Sequence, residues 1–331
     1  PPNCSRVDFR DPKIWKEDKY YLIVGNKNDQ QVGQVILFSS SNLKEWKFET
    51  ILASNDTNKI GSMWECPDFF PLADKRVLIC SPQNMKADPL EFHNGNNSVY
   101  FIGEYDNVSY RFEKEAPHTL DYGFDFYAPQ TTSLPDGRRI MIAWMKSWDA
   151  CVMPEGQDWQ GMMTIPRELK LKDGRIWQTP IRELERYRRN PCRYENELIS
   201  GWTMLDGVDG RVIDLIVTLG GGNYTSFAMD IAADEEYKTS FSYSREKGIL
   251  EIDRTFCGVT HDVVCIRKVK ILAEELSCMR FVLDRQSIEL FINEGQQVVT
   301  TAISTPLEAK EIRFFADGEL RICVEKYDIV V

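Results

Sequence analysis

The sequence contains no C-x-x-C pair, although it has nine cysteines, and its three histidines, His93, His118 and His261, stand far apart. These absences exclude a zinc-ribbon arrangement and an H-E-x-x-H metalloenzyme helix. A G-x-S-x-G elbow and a G-x-x-x-x-G-K-[ST] loop are also missing, which removes the signatures of an α/β-hydrolase nucleophile and of a P-loop. Gly220-Gly221-Gly222 lacks the rest of a dinucleotide fingerprint and reads as a tight loop between strands. No apolar run approaches the roughly 18 residues that span a bilayer. A net charge of −11 disfavours nucleic acid or an anionic membrane as partner. The expectation is therefore an enzyme or binding protein with no metal and no cofactor.

The cysteines leave one over from any complete pairing, and their scatter fits buried free thiols in a reducing compartment. Five N-x-[ST] patterns, at Asn3, Asn55, Asn96, Asn107 and Asn223, point the other way. The cysteine usage is weighted more heavily, and a cytoplasmic protein is expected.

What is present is a repeat. Arg10-Asp11-Pro12, Glu65-Cys66-Pro67 and Tyr127-Ala128-Pro129 are each followed, nine to eleven residues after the proline, by an apolar run. The runs begin at Tyr21, Val77 and Ile140, and charged turn segments such as Lys16-Glu17-Asp18-Lys19 and Asp136-Gly137-Arg138 fill the gaps. The prolines are 55 and 62 residues apart, slightly longer than common propeller-blade periods. Radial repetition of such β-units brings the starts of the innermost strands to one end of a shared channel. Asp11 and Glu65 are read as nearly equivalent positions of two neighbouring units, with Tyr127 and Ala128 from a third. Two carboxylates brought together in this way suit glycoside hydrolysis. The plainer reading is that proline and an acid simply open each strand.

These motifs, together with Asp121-Tyr122-Gly123-Phe124-Asp125-Phe126, Gly161-Met162-Met163-Thr164-Ile165-Pro166-Arg167-Glu168-Leu169, Gln178-Thr179-Pro180-Ile181-Arg182-Glu183-Leu184 and Ile288-Glu289-Leu290-Phe291-Ile292-Asn293-Glu294-Gly295, resemble glycoside hydrolase family 32. The Gly161–Leu169 stretch looks most like the bacterial sucrose and sucrose-6-phosphate hydrolases. The resemblance implies a five-bladed β-propeller followed by a C-terminal β-sandwich, and retaining hydrolysis of a β-fructofuranoside. Glu65 would be the general acid/base and Asp11 a stabiliser of the transition state. Arg10 would hold Asp11 ionised, and Trp64, Phe69 and Phe70 would desolvate Glu65. Cys66, Asp121 and Tyr127 would line the sugar site with Trp64, and Trp144 and Trp148 are candidates for stacking on a sugar.

The Asn-Asp-Pro-Asn-Gly segment that carries the family's nucleophile does not occur in these residues. The expectation is thus an incomplete propeller lacking its first blade and most of its second, inactive alone, and pairing with the missing segment or forming a homo-oligomer. Two rivals differ in class or substrate: a non-catalytic carbohydrate-binding or structural protein of the same fold, and a five-bladed glycosidase acting on arabinans or xylans.

The expected division is a partial propeller over 1–180, a linker over 181–192 and a sandwich over 193–331. Five arginines between Arg182 and Arg193 suggest salt bridges within the linker. In the last segment, Asp284-Arg285-Gln286-Ser287, Asn293-Glu294-Gly295 and Asp317-Gly318 are read as turns between short alternating strands.

Overall fold

The computed structural model of the chain describes residues 3–55, 60–88, 90–146, 161–259 and 263–331. It is almost entirely β. The first sheet is β1 (Phe9–Lys16), β2 (Tyr20–Lys27), β3 (Gly33–Ser40) and β4 (Lys47–Ser54), paired in that order. The second is β5 (Met63–Leu72), β6 (Lys75–Gln83), β7 (Val99–Asp106) and β8 (Arg111–Lys114), with β9 (His118–Thr119) also on β7. The third orders β10 (Tyr127–Ser133), β11 (Arg139–Met145), β13 (Arg167–Lys172) and β14 (Arg175–Pro180), with β12 (Met162–Met163) on β11. Each proline motif lies on the first strand of its sheet, and each apolar run lies on the second. Together the three repeats and the sandwich that follows them have the fold class of a β-propeller with a C-terminal β-sandwich.

Period-two alternation explains why these sheets stack as blades. Phe69 turns to a core shared with Tyr21, Ile23 and Leu37 of the first sheet. Its neighbour Phe70 turns the other way, to Met141, Ala143 and Ile176 of the third. Trp64 is 0 % exposed, lies 5.3 Å from the Phe101 ring and donates from Nε1 to the Ile60 carbonyl at 2.6 Å. Gly33 makes room for it: a Cβ there would sit 2.5 Å from the indole ring.

His118 pairs with Tyr100 across β7 and β9, their rings 5.1 Å apart. Burial first, and then the nearby Arg175, hold its imidazole below the ordinary value of 6.5. The folded state therefore binds this proton less readily than the unfolded chain does. The stabilising contribution is complete above the unfolded pKa and is lost as pH falls through the folded one. We expect the thermal midpoint to drop as pH is lowered from 7 to 5, and His118→Gln to flatten that drop. Identical pH profiles for the two proteins would refute the assignment.

Chain packing divides the molecule into two compact units. Pro1–Leu120, Phe126–Asp149 and Leu169–Ile176 form the first, and Asp121–Asp125, Ala150–Glu168 and Trp177–Val331 the second. In the second, a 3-10 turn over Arg182–Tyr187 leads into β15 (Arg188–Thr203), so the sandwich begins within the stretch read as linker. Of the five arginines there, Arg182 pairs with Glu168 at 2.6 Å, Arg188 with Asp214 at 2.7 Å and Arg193 with Glu325 at 3.5 Å.

The sandwich continues with β16 (Ile213–Ala233), β17 (Thr239–Ser244), β18 (Ile249–Asp253), β19 (Ile266–Lys270), β20 (Cys278–Asp284), β21 (Ser287–Ile292), β22 (Gln297–Ala302) and β23 (Glu311–Ile329). The order β19-β18-β17-β16-β20-β21-β22 is joined by β23, which pairs with both β16 and β15. The hairpin at Asp284–Ser287 and the turn at Asn293–Gly295 form as expected.

Two expected turns do not form. Asp317-Gly318 lies inside β23, and Gly220-Gly221-Gly222 inside β16, where the two strands pair with each other through bulges. Both strands are long because each serves both layers: β16 pairs with β20 through its first half and with β17 through its second. The glycines permit the close approach at the crossing, since a Cβ on Gly318 would lie 2.2 Å from the Asn223 carbonyl oxygen.

Candidate active site

Each of the three motifs breaks its strand at the same place. Register shifts fall between Arg10 and Lys13, between Glu65 and Asp68, and between Tyr127 and Gln130. The middle residues Asp11, Cys66 and Ala128 have φ of 60°, 47° and 53°. Left-handed backbone at a non-glycine residue is costly and persists where surrounding structure over-determines it, commonly at functional sites. Bulges of this kind re-aim side chains.

The alignment corrects the equivalence read from sequence. Arg10 corresponds to Glu65 and Tyr127, whereas Asp11 corresponds to Cys66 and Ala128. Corresponding residues meet in layers. In the first, Arg10 Nε donates to Glu65 Oε1 at 2.8 Å and Tyr127 OH donates to Glu65 Oε2 at 2.7 Å. In the second, the Cys66 amide donates to Asp11 Oδ2 at 3.0 Å, with Cys66 Sγ 3.6 Å from the same oxygen. In the third, Lys13 Nζ lies 3.3 Å from Asp68 Oδ2 and 3.1 Å from Gln130 Oε1. In each of the three layers the pair between the first two sheets is 55 residues apart, which is the proline interval.

The electrostatics follow from these contacts. Burial opposes charge on Arg10, but the carboxylates of Glu65 and Asp8 outweigh it and hold the guanidinium above its ordinary range. Burial and then Glu65 push the Tyr127 phenol far up, so it stays a donor. Burial, followed by the charges of Asp11 and Glu65, pushes the Cys66 thiol up to about 12. It is therefore a neutral S–H group and not a nucleophile. Glu65 keeps a side-chain exposure of 13 %, enough for one face to meet a ligand.

Several expectations need correction. Arg10 pairs with Glu65 and Asp8, not with Asp11. Trp64 faces the core between two sheets, because adjacent strand residues point to opposite faces and Glu65 takes the other one. Phe69 and Phe70 are likewise core residues.

Asp121 is not available to a sugar. Its side chain is 0 % exposed and pairs with Arg167 at 3.0 Å, and its oxygens also accept from the amides of Gly123 and Thr300 at 2.8 and 3.0 Å. Trp144 is the register partner of Tyr127, and Trp148 lies outside the described residues. The third layer of Lys13, Asp68 and Gln130 was missed in the sequence reading. The signal was there: each follows its motif proline directly, and the three are complementary in charge and hydrogen bonding. Among the described residues no group of three or more His, Cys, Asp or Glu side chains could hold a metal ion.

The profile of the glycosyl hydrolases family 32 N-terminal domain matches residues 1–180, and that of the family's C-terminal domain matches residues 183–330. The chain belongs to glycoside hydrolase family 32. A sucrose-6-phosphate hydrolase of Staphylococcus xylosus is 30 % identical over 335 residues, covering 99 % of this chain and 67 % of that protein. A raffinose invertase of Escherichia coli is 32 % identical over 94 % of this chain and 64 % of its own length. The chain thus spans about two thirds of the length of these curated relatives. Among solved structures, sucrose-6-phosphate hydrolase from Lactobacillus gasseri superposes with a TM-score of 0.86 at 26 % identity, covering 100 % of this chain and 67 % of that one. The Bombyx mori GH32 beta-fructofuranosidase gives 0.84 at 29 %, covering 98 % and 66 %, and a mutant of it is solved in complex with sucrose.

Proposed function

We propose that this family 32 chain supplies the acid/base and the transition-state-stabilising carboxylate for retaining hydrolysis of β-fructofuranosides such as sucrose or sucrose 6-phosphate. The observation that carries the reading is the Glu65 carboxyl, gripped from two sides by Arg10 Nε and Tyr127 OH on neighbouring sheets. That grip is complementary to the carboxylate left when Glu65 has given its proton to the glycosidic oxygen. Donors matched to a charge that develops during reaction favour the transition state over the ground state. After departure of the leaving group, the same carboxylate takes a proton from water. Asp11, fixed by the Cys66 amide, accepts hydrogen bonds from fructosyl hydroxyls as the ring flattens.

Retaining chemistry also uses a second carboxylate roughly 5 Å from the acid/base. The segment to which the family resemblance assigns it does not occur in residues 1–331, so we expect this polypeptide alone not to release reducing sugar from sucrose or sucrose 6-phosphate. Turnover by a preparation shown by mass spectrometry to hold only these residues would overturn that expectation. The scatter of nine cysteines with no C-x-x-C pair supports a reducing, cytoplasmic setting as part of the same reading.

A further inference from the structure

The sandwich has one face turned to solvent. Across it, Trp202, Phe315, Ala228, Ser242, Glu251 and Lys268 stand side by side on consecutive strands. Their sequence neighbours Phe314, Phe227, Phe241 and Leu250 point into the core. Trp202 is 56 % exposed, with its ring 5.2 Å from that of Phe315 and tilted 43° to it. One row along lie Asp317, Ser226 and Ser244. There Ser226 and Ser244 join Tyr224, Thr225, Arg245 and Lys247 around an open hollow of about 520 Å³. Its wall is fixed, since the Arg245 guanidinium stacks 4.9 Å over the Tyr224 ring and donates to the Gly222 carbonyl at 3.3 Å.

We propose that this face is a second carbohydrate-binding site, taking a neutral oligosaccharide chain. Sugars present a flat C–H face beside an edge of hydroxyls. Trp202 with Phe315 offers the stacking surface, and the hydroxyls of Ser226, Ser242 and Ser244, which make no hydrogen bond among the described residues, offer a lane of donors and acceptors. Ala and Ser side chains leave the floor between rings and hollow shallow and open. The charges argue for a neutral ligand, because Glu246 and Asp317 stand beside Arg245 and Lys247 and oppose a phosphate. A protein partner is disfavoured, because buried contact cores are depleted of charge whereas this floor is hydroxylic with a charged rim. From Trp202 to Ser244 is three strand spacings and one two-residue step, roughly 15 Å, which suits a chain of sugars and not a single ring.

The site is independent of the catalytic reading, so its test measures binding. Affinity electrophoresis of the purified chain through gels containing inulin or levan should show retardation. Trp202→Ala should weaken it about tenfold or more. Ser242→Arg, an exposed change that fills the lane, should do the same, with thermal midpoints unchanged. Equal retardation of the three proteins, or none in any of them, overturns the proposal. So does light scattering that finds a dimer lost on Trp202→Ala without any sugar effect, which would give the face to a second copy of the chain.

Discussion

In a preparation that hydrolyses sucrose, Glu65→Gln lowers kcat by about 10²–10⁴, the usual worth of a positioned general acid–base, and leaves KM within a few fold. The glutamine is nearly isosteric, and with its Oε1 accepting from Arg10 and its amide NH2 donating to the Tyr127 hydroxyl the site keeps its shape while losing the proton. The split between kcat and KM is therefore the informative readout. A fructoside whose leaving group departs without protonation should lose far less than sucrose does. If both substrates fall equally, or if KM takes the whole effect, Glu65 is a binding residue and the acid lies elsewhere.

That expectation rests on a division of labour visible in the three layers. Each proline motif contributes one residue to each layer, and bulges force all three strands to present them at one level. The top layer holds Glu65, the proposed acid/base, between Arg10 and Tyr127. The middle layer holds Asp11 through an amide hydrogen bond. The bottom layer is a cross-strand tie: Asp68 accepts from the Thr131 amide and hydroxyl, both at 2.7 Å, and Gln130 donates to the Cys66 carbonyl at 3.0 Å. The strained Cys66 backbone is thus held on both sides, its N–H by Asp11 and its C=O by Gln130. A fixed, pre-oriented carboxylate avoids reorganisation as charge develops.

Much of this arrangement was legible before any coordinates. The proline interval located three β-units, and the apolar runs marked their second strands, because a buried strand reads as a run of β-branched and aromatic residues. The one-residue shift between Asp11 and Glu65 was not legible. A bulge changes which residues correspond without changing composition, and only the three motifs aligned on their prolines reveal it.

Trp64 and Asp121 were misplaced for different reasons. An aromatic beside a catalytic carboxylate suggests desolvation, but strand alternation sends adjacent side chains to opposite faces. An aspartate in a resemblance motif suggests chemistry, but whether a carboxylate meets solvent or a buried arginine is decided by partners far away in sequence. Asp317-Gly318 and the Gly220–Gly222 triplet show the same limit, since glycine serves a strand crossing as readily as a turn.

The partner of Asp121 supports the second large effect. Arg167 is fully buried, donates from Nη1 to Asp121 Oδ2 and Gln178 Oε1, both at 3.0 Å, and from Nη2 to Glu289 Oε2 at 2.7 Å and Thr300 Oγ1 at 2.6 Å. Glu289 Oε1 accepts from the Ile165 amide at 2.7 Å. One guanidinium therefore ties together the four segments around Asp121, Arg167, Gln178 and Glu289, and these four side chains serve the packing of the fold.

Burial opposes both partners' charges. It pushes Glu289 up, while Arg167 is held charged because Glu289 and Asp121 together outweigh its own burial. Removing the cation leaves two carboxylates enclosed without a counter-charge, a loss of about 3–5 kcal/mol for a broken buried pair. We expect Arg167→Leu to shift the urea midpoint of the unit formed mainly by Trp177–Val331 accordingly, or to prevent soluble expression. Adding Asp121→Asn and Glu289→Gln to it should recover part of the loss, because apolar or neutral replacements of a whole buried ion cluster are often tolerated. A single variant within about 1 kcal/mol of wild type, or a triple variant worse than the single, would show that the cluster is solvated and that the motifs are held by packing alone.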